Sequence, residues 1–172
     1  MADTELVDIV NENNEVIDTV LRKEMRQKHL PHRASYIAYC DRQNRFLVEV
    51  RTLTKDYAPG LLDACIGGVI DSGEEFAKAA RRELLEEVGV DSTKIDFYDL
   101  GFEKIPSGDL FLYGYLCFAK GDAITVRQDS EVSGILYLKE EELLKLENCC
   151  VPDSLYAFKK ILEKAREQGY YK

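Results

Sequence analysis

Glu83, Glu86 and Glu87 stand at i, i+3 and i+4. On a helix such spacings bring Cβ atoms to roughly 5–6 Å of one another, so the three carboxylates repel unless a counter-charge joins them. Gly89 marks the C-terminal end of that helix, where the macrodipole disfavours negative charge. Four residues beyond each acid stand Glu87, Val90 and Asp91, so nothing basic at i+4 compensates. A solvated acidic face is the ordinary state of a Glu-rich helix. At this end of a helix the cluster better suits a hard divalent cation, which binds carboxylate oxygen and leaves positions for water and substrate phosphate.

The elements around it must hold that helix in place. Residues 74–88 carry the helical pattern, with Ala77, Ala80, Leu84 and Val88 on a buried stripe and the acids beside it. Ser72 and Glu75 have the spacing of a capping box, and Gly89 can take the left-handed conformation that stops a helix. Apolar alternation predicts a hairpin over residues 5–21 with a polar turn at 11–14, and strands at 33–40 and 45–51 around a second polar turn. Further strands are expected at 62–66, 95–103, 110–119 and 134–138, then helices at 140–147 and 153–168. The last helix turns Leu155, Phe158, Ile161, Leu162 and Ala165 inward. This order is not a regular βα alternation, so a single α/β domain with a mixed sheet between helical layers is expected over residues 1–172.

A chain of 172 residues can build a core without disulfides or structural metal. Its net charge of -9, with no dense Lys/Arg run, excludes nucleic acid as the main partner. The five cysteines, Cys40, Cys65, Cys117, Cys149 and Cys150, are odd in number and form no C-x-x-C pair, which fits free thiols in a reducing cytoplasm. The N-terminus lacks the pattern of a signal peptide, and no window has the length of a membrane span. The hairpin and the last helix are each surfaces on which a homodimer could form.

Residues 68–90 resemble the signature of the Nudix hydrolases, G-x5-E-x7-R-E-U-x-E-E-x-G-U with U apolar. Gly68, Glu74, Arg82, Glu83, Glu86, Glu87 and Gly89 match every fixed identity, and Leu84 and Val90 both apolar positions. The resemblance implies an α/β/α sandwich and a nucleoside diphosphate linked to a further group as substrate. It implies Glu83, Glu86, Glu87 and the Gly68 carbonyl as ligands of Mg²⁺ or Mn²⁺, with Arg82 paired to Glu74 in support. Water would attack phosphorus, its proton taken by Glu83 within the motif or Glu131 outside it, with Glu103 and Asp109 behind them. Arg33, Arg51, Lys55 and Lys104 are candidates to pair with phosphate, and Tyr36, Tyr57, Tyr113 and Phe111 to stack on a base.

Other pieces are similar to the isopentenyl-diphosphate-isomerase-like branch of that superfamily: residues 7–11, 16–17, 32–35, 51–55, 59–60, 62–63 and 67–68. His32 matches a metal-binding histidine of the branch; His29 matches nothing. A true isomerase needs a cysteine immediately before a Gly-His pair, and here Ile66 and Gly68 hold those positions. Cys65 is one residue early and would face the opposite side of a strand. Hydrolysis is therefore expected, with isomerase-like activity or a non-catalytic nucleotide-binding module as alternatives.

Overall fold

The computed structural model describes residues 4–172, so the first three residues of the expected span lie outside the described residues. Strands β1 (Leu6–Val10) and β2 (Val16–Leu21) form the expected hairpin, and a short helix, α1 (Arg22–Lys28), follows directly. Strands β3 (Arg33–Cys40), β4 (Arg45–Arg51) and β5 (Leu62–Asp63) precede helix α2 (Phe76–Val88). Strands β6 (Asp96–Ser107), β7 (Leu110–Lys120) and β8 (Val132–Lys139) lead to helices α3 (Glu140–Lys145) and α4 (Pro152–Glu167).

The main sheet runs β5-β4-β3-β7-β6, with β8 on β4; β3 and β7 are parallel and the remaining pairs antiparallel. Side-chain alternation splits it into two apolar faces. Tyr36, Ala38, Cys40, Phe46, Val48, Leu116 and Phe118 meet Leu155, Phe158, Ile161, Leu162 and Ala165 of α4. Ile37, Tyr39, Leu47, Ile66 and Cys117 meet Ala80, Leu84 and Val88 of α2. The result is the expected α/β/α sandwich around a mixed sheet. A third cluster, Val7, Ile9, Val20 and Met25, seats the hairpin and α1 against Val69. No helix among the described residues is long and apolar enough to cross a membrane.

Several sequence expectations are corrected. Helix α2 begins at Phe76, and its N-cap is Glu75 with no side-chain cap, so the Ser72/Glu75 capping box does not form. The Ser72 amide instead donates to Leu6 O, and Gly73 turns the chain at φ +76°. Ala77 is only half-buried, and Ala79 takes its place on the inner stripe. The strand expected at 62–66 shrinks to Leu62–Asp63 with an isolated bridge at Ile66. The apolar face of α4 is buried in the core.

Candidate active site

Helix α2 presents its acids at three depths. Glu86 is exposed, Glu83 is half-buried, and Glu87 lies at 6% exposure on the inner side of the helix beside Leu84 and Val88. The helix ends as expected, with Gly89 left-handed at φ 68° and its amide bonded back into the last turn.

Arg82 organises this surface. Its Nε and Nη2 donate to the two carboxylate oxygens of Glu74 at 2.8 and 3.0 Å, a two-pronged pairing. Its Nη1 donates to Glu83 at 2.8 Å and to Glu86 at 3.1 Å. The acids are thus not uncompensated: their base lies on the N-terminal side, at i−1 and i−4, not at i+4. The hydrogen bond from Arg82 holds the Glu74 carboxyl below its ordinary value. Burial raises Glu83, and the charge of Arg82 opposes the rise.

The loop preceding α2 is shaped by two glycines. Gly67 adopts φ +152°, and a Cβ there would lie 2.0 Å from Ser35 O. A Cβ on Gly68 would meet the Glu83 carboxylate at 2.9 Å. Small residues here let strand backbone and helix carboxylates approach one another. The Gly68 carbonyl accepts from the Ser35 amide at 2.8 Å and, more weakly, from the Ser35 hydroxyl at 3.4 Å. Glu87 accepts from the Gly67 amide at 3.3 Å.

Glu131, just before β8, is brought to the same place. Lys55 donates to its carboxylate, and Glu87 is hydrogen-bonded to it as well. Burial alone would raise Glu131; the Lys55 bond and charge outweigh it and hold Glu131 below the ordinary value, as a carboxylate. Glu87 goes the other way, well above its ordinary value, first through burial and then through the charge of Glu49. Glu49, on β4, drew no attention in the sequence. It is 3% exposed and is likewise pushed up by burial and by the charge of Asp63.

These groups border a cleft of about 970 Å³ lined by Gly68, Arg82, Glu83, Glu86, Glu87, Glu131, Arg51 and Lys55. Arg51 donates to Asp63 at 2.8 Å and to Tyr57 O, also at 2.8 Å. Tyr36 and Tyr57 reach the cleft and both donate to Asp153, at 2.7 and 2.8 Å. His32 lines it too, with Nδ1 2.9 Å from Leu30 O, and burial lowers its pKa.

Arg33 is not in this cleft. It donates to Asn14 Oδ1 and O at 2.8 and 2.6 Å and lies over Phe76, fastening the hairpin turn to the start of α2. Lys104 pairs with Glu12, Tyr113 donates to Glu12 O, and Phe111 packs on Tyr113, so none of these lines the cleft either. Glu103 pairs with Lys164. In their place α1 contributes Arg22 and Arg26, which the sequence did not single out.

Among the described residues, no three Asp, Glu, His or Cys side chains are gathered into a ready metal-binding group; Arg82 draws Glu83 and Glu86 to itself. The donor set nonetheless has the chemistry of a hard-cation site: buried and half-buried carboxylates with one carbonyl, and a glycine where a Cβ would crowd them.

Comparison with known proteins agrees with this architecture. The NUDIX domain family profile matches residues 30–156. The chain is 40% identical over 157 residues to the uncharacterized Nudix hydrolase YfcD of Escherichia coli K12, covering 91% of this chain and 86% of that one. It is 30% identical over 166 residues to the Nudix hydrolase PA4841 of Pseudomonas aeruginosa, covering 94% and 96%. Among solved structures, DR0079 from Deinococcus radiodurans superposes with a TM-score of 0.79 at 25% identity, covering 91% of this chain and 99% of that one. The chain belongs to the Nudix hydrolases. Members of this family act on small nucleotide-derived substrates and use divalent metal cations.

Proposed function

We propose that this chain is a Mg²⁺- or Mn²⁺-dependent hydrolase that cleaves the diphosphate of a nucleoside diphosphate linked to a further group, by attack of water at phosphorus. The observation that carries the reading is the convergence of Glu83, Glu86, Glu87 and Glu131 with Arg51 and Lys55 on one cleft. Its volume of about 970 Å³ suits a substrate of nucleotide size.

Glu83, Glu86, Glu87 and the Gly68 carbonyl would hold the cation, Arg82 releasing Glu83 and Glu86 while keeping Glu74, and the Ser35 hydroxyl giving up its weak bond to Gly68. The bound cation would neutralise charge on the diphosphate and acidify a water molecule. Lys55 has three N–H donors and spends one on Glu131, leaving two for phosphate oxygen. Arg51 would complement it once its bond to the Tyr57 carbonyl is exchanged. Glu131, held ionised by Lys55, is in the correct form to accept a proton from the attacking water. Glu83, half-buried and raised, is the second candidate for that base. The half-exposed ring of Tyr57 offers a face to a nucleobase.

Hydrolysis is favoured over double-bond isomerisation by the state of Cys65. Its thiol is buried on the α4 side of the sheet, donates to Ser154 O at 3.5 Å, and burial pushes its pKa well above the usual value. That thiol borders the cleft but is held neutral by burial and bonded to α4. All five cysteines are free, which is consistent with a reducing, cytoplasmic setting.

A panel of nucleoside di- and triphosphates, nucleotide sugars and dinucleotides, incubated with Mg²⁺, tests the reading. Release of phosphate or nucleoside monophosphate that EDTA abolishes is expected. Conversion of isopentenyl diphosphate without phosphate release would instead support an isomerase, and a silent panel with specific nucleotide binding a non-catalytic module.

A further inference from the structure

Antiparallel pairing sets Glu49 of β4 directly opposite Asp63 of β5, two like charges facing across a ladder. Asp63 is provided for, since Arg51 donates to it at 2.8 Å and Ser154 Oγ also bonds it. Glu49 is not. It is 3% exposed, and its buried Oε1 has no hydrogen-bond partner. The two cations that act on it bond other carboxylates, Arg51 to Asp63 and Lys55 to Glu131. A buried, unpartnered carboxylate oxygen is destabilising when charged, so the fold retains this one at a stability disadvantage.

Its direction shows what it serves. Alternation along β4 puts Glu49 on the same face as Leu47, which packs with α2, and Glu49 also lies opposite Ile135, which packs on that cluster. Among the charged groups acting on Glu87, Glu49 is the strongest. A buried sheet carboxylate with an unsatisfied oxygen and a buried helix carboxylate therefore lie on the same, α2-facing side of the sheet. A divalent cation supplies two charges and several oxygen-binding positions, which answers both groups at once.

We propose that Glu49 is a further metal ligand, contributed by the sheet, to a divalent cation that Glu87 binds from α2. The proposal rests on the metal-dependent reading of the cleft. It adds a ligand outside the 68–90 motif, anchored on β4 and so independent of the Arg82 clamp that restrains Glu83 and Glu86.

The test is a Mn²⁺ titration of the nucleotide-free protein, free Mn²⁺ being followed by electron paramagnetic resonance, for wild type, Glu49→Gln and Glu86→Gln. Glu49→Gln is nearly isosteric and removes a buried charge. It should weaken Mn²⁺ uptake by about tenfold or more, the lower end of what even supporting residues around a metal achieve. Wild-type uptake in a folded Glu49→Gln protein, with Glu86→Gln weakened, overturns the proposal and leaves the metal centre standing. No Mn²⁺ uptake by wild type removes both. Should Glu49→Gln fail to fold, Glu49→Asp keeps the charge but withdraws the carboxylate by one methylene. Weakened uptake in that variant supports the assignment, and unchanged uptake overturns it.

Discussion

Alanine at Gly67 and alanine at Gly68 differ by one position and should fail in different ways. At Gly67 the backbone has φ +152°, and the new Cβ would lie 2.0 Å from Ser35 O and 2.7 Å from its carbonyl carbon. Ser35 sits in β3, which is paired to β7 from Arg33 to Cys40, so the obstructing atoms cannot swing aside. Backbone strain of about 1–3 kcal/mol and overpacking of about 1–3 kcal/mol add to roughly 2–6 kcal/mol. For a chain of this size that lowers the melting midpoint by roughly 4–24 °C. At Gly68 the Cβ meets Glu83 Oε1 at 2.9 Å, the far end of a flexible side chain that can rotate away. Stability should change by no more than about 1 kcal/mol, while the carboxylate leaves its place between Arg82 and the cleft. Thermal melting and Mn²⁺ titration of both variants separate the effects. Gly67→Ala is expected to melt early, and Gly68→Ala to melt near wild type with weakened Mn²⁺ uptake. Equal melting of the two, or full Mn²⁺ uptake by Gly68→Ala, would refute the reasoning.

Three further outcomes are expected. Glu49 and Glu87 have folded pKa values raised above the ordinary 4.5, first by burial and then by the charges of Asp63 and Glu49 respectively. Above 4.5 the unfolded chain has released protons that the folded chain keeps, so their contribution falls as pH rises through the raised values. In EDTA, the melting advantage of Glu87→Gln over wild type should therefore widen as pH rises above 4.5; a constant or shrinking gap contradicts this. Glu131→Gln should lower kcat by about 10²–10⁴-fold with Mn²⁺ uptake retained, whereas Glu83→Gln should lose Mn²⁺ uptake; undiminished kcat in Glu131→Gln would move the base elsewhere. Arg33→Ala should destabilise by about 1–3 kcal/mol, from the lost bonds to Asn14, and leave KM within about twofold, since Arg33 serves the hairpin and not the cleft.

The acidic helix was legible because each of its signals is local: a periodic stripe, a terminal glycine, and acids at i, i+3 and i+4. Strands β3, β4 and β7 were legible because alternation along them is matched by burial on both faces of the sheet. Helix α1 was not, since seven residues with Met25 alone buried carry no measurable period and lie on the hairpin only through tertiary contact. The capping box failed because the Ser72 amide is taken by Leu6, sixty-odd positions away in sequence, and no local rule foresees that bond. Glu49 was invisible for a related reason. A Glu between Val48 and Val50 reads as an ordinary strand residue until the fold buries it opposite Asp63 on the side of the sheet that α2 covers. The phosphate candidates divided likewise: Arg51 and Lys55 follow β4 into the cleft, while Arg33, at the start of β3, turns away to Asn14.

The central claim is metal-dependent hydrolysis by the carboxylates of α2, and ³¹P NMR in ¹⁸O-labelled water tests it most directly. With a cleaved nucleotide and Mg²⁺, wild type should give a phosphate product carrying ¹⁸O, and Glu86→Gln and Glu87→Gln should give little or none. Retained turnover in both variants, or product with no ¹⁸O on phosphorus, would contradict it.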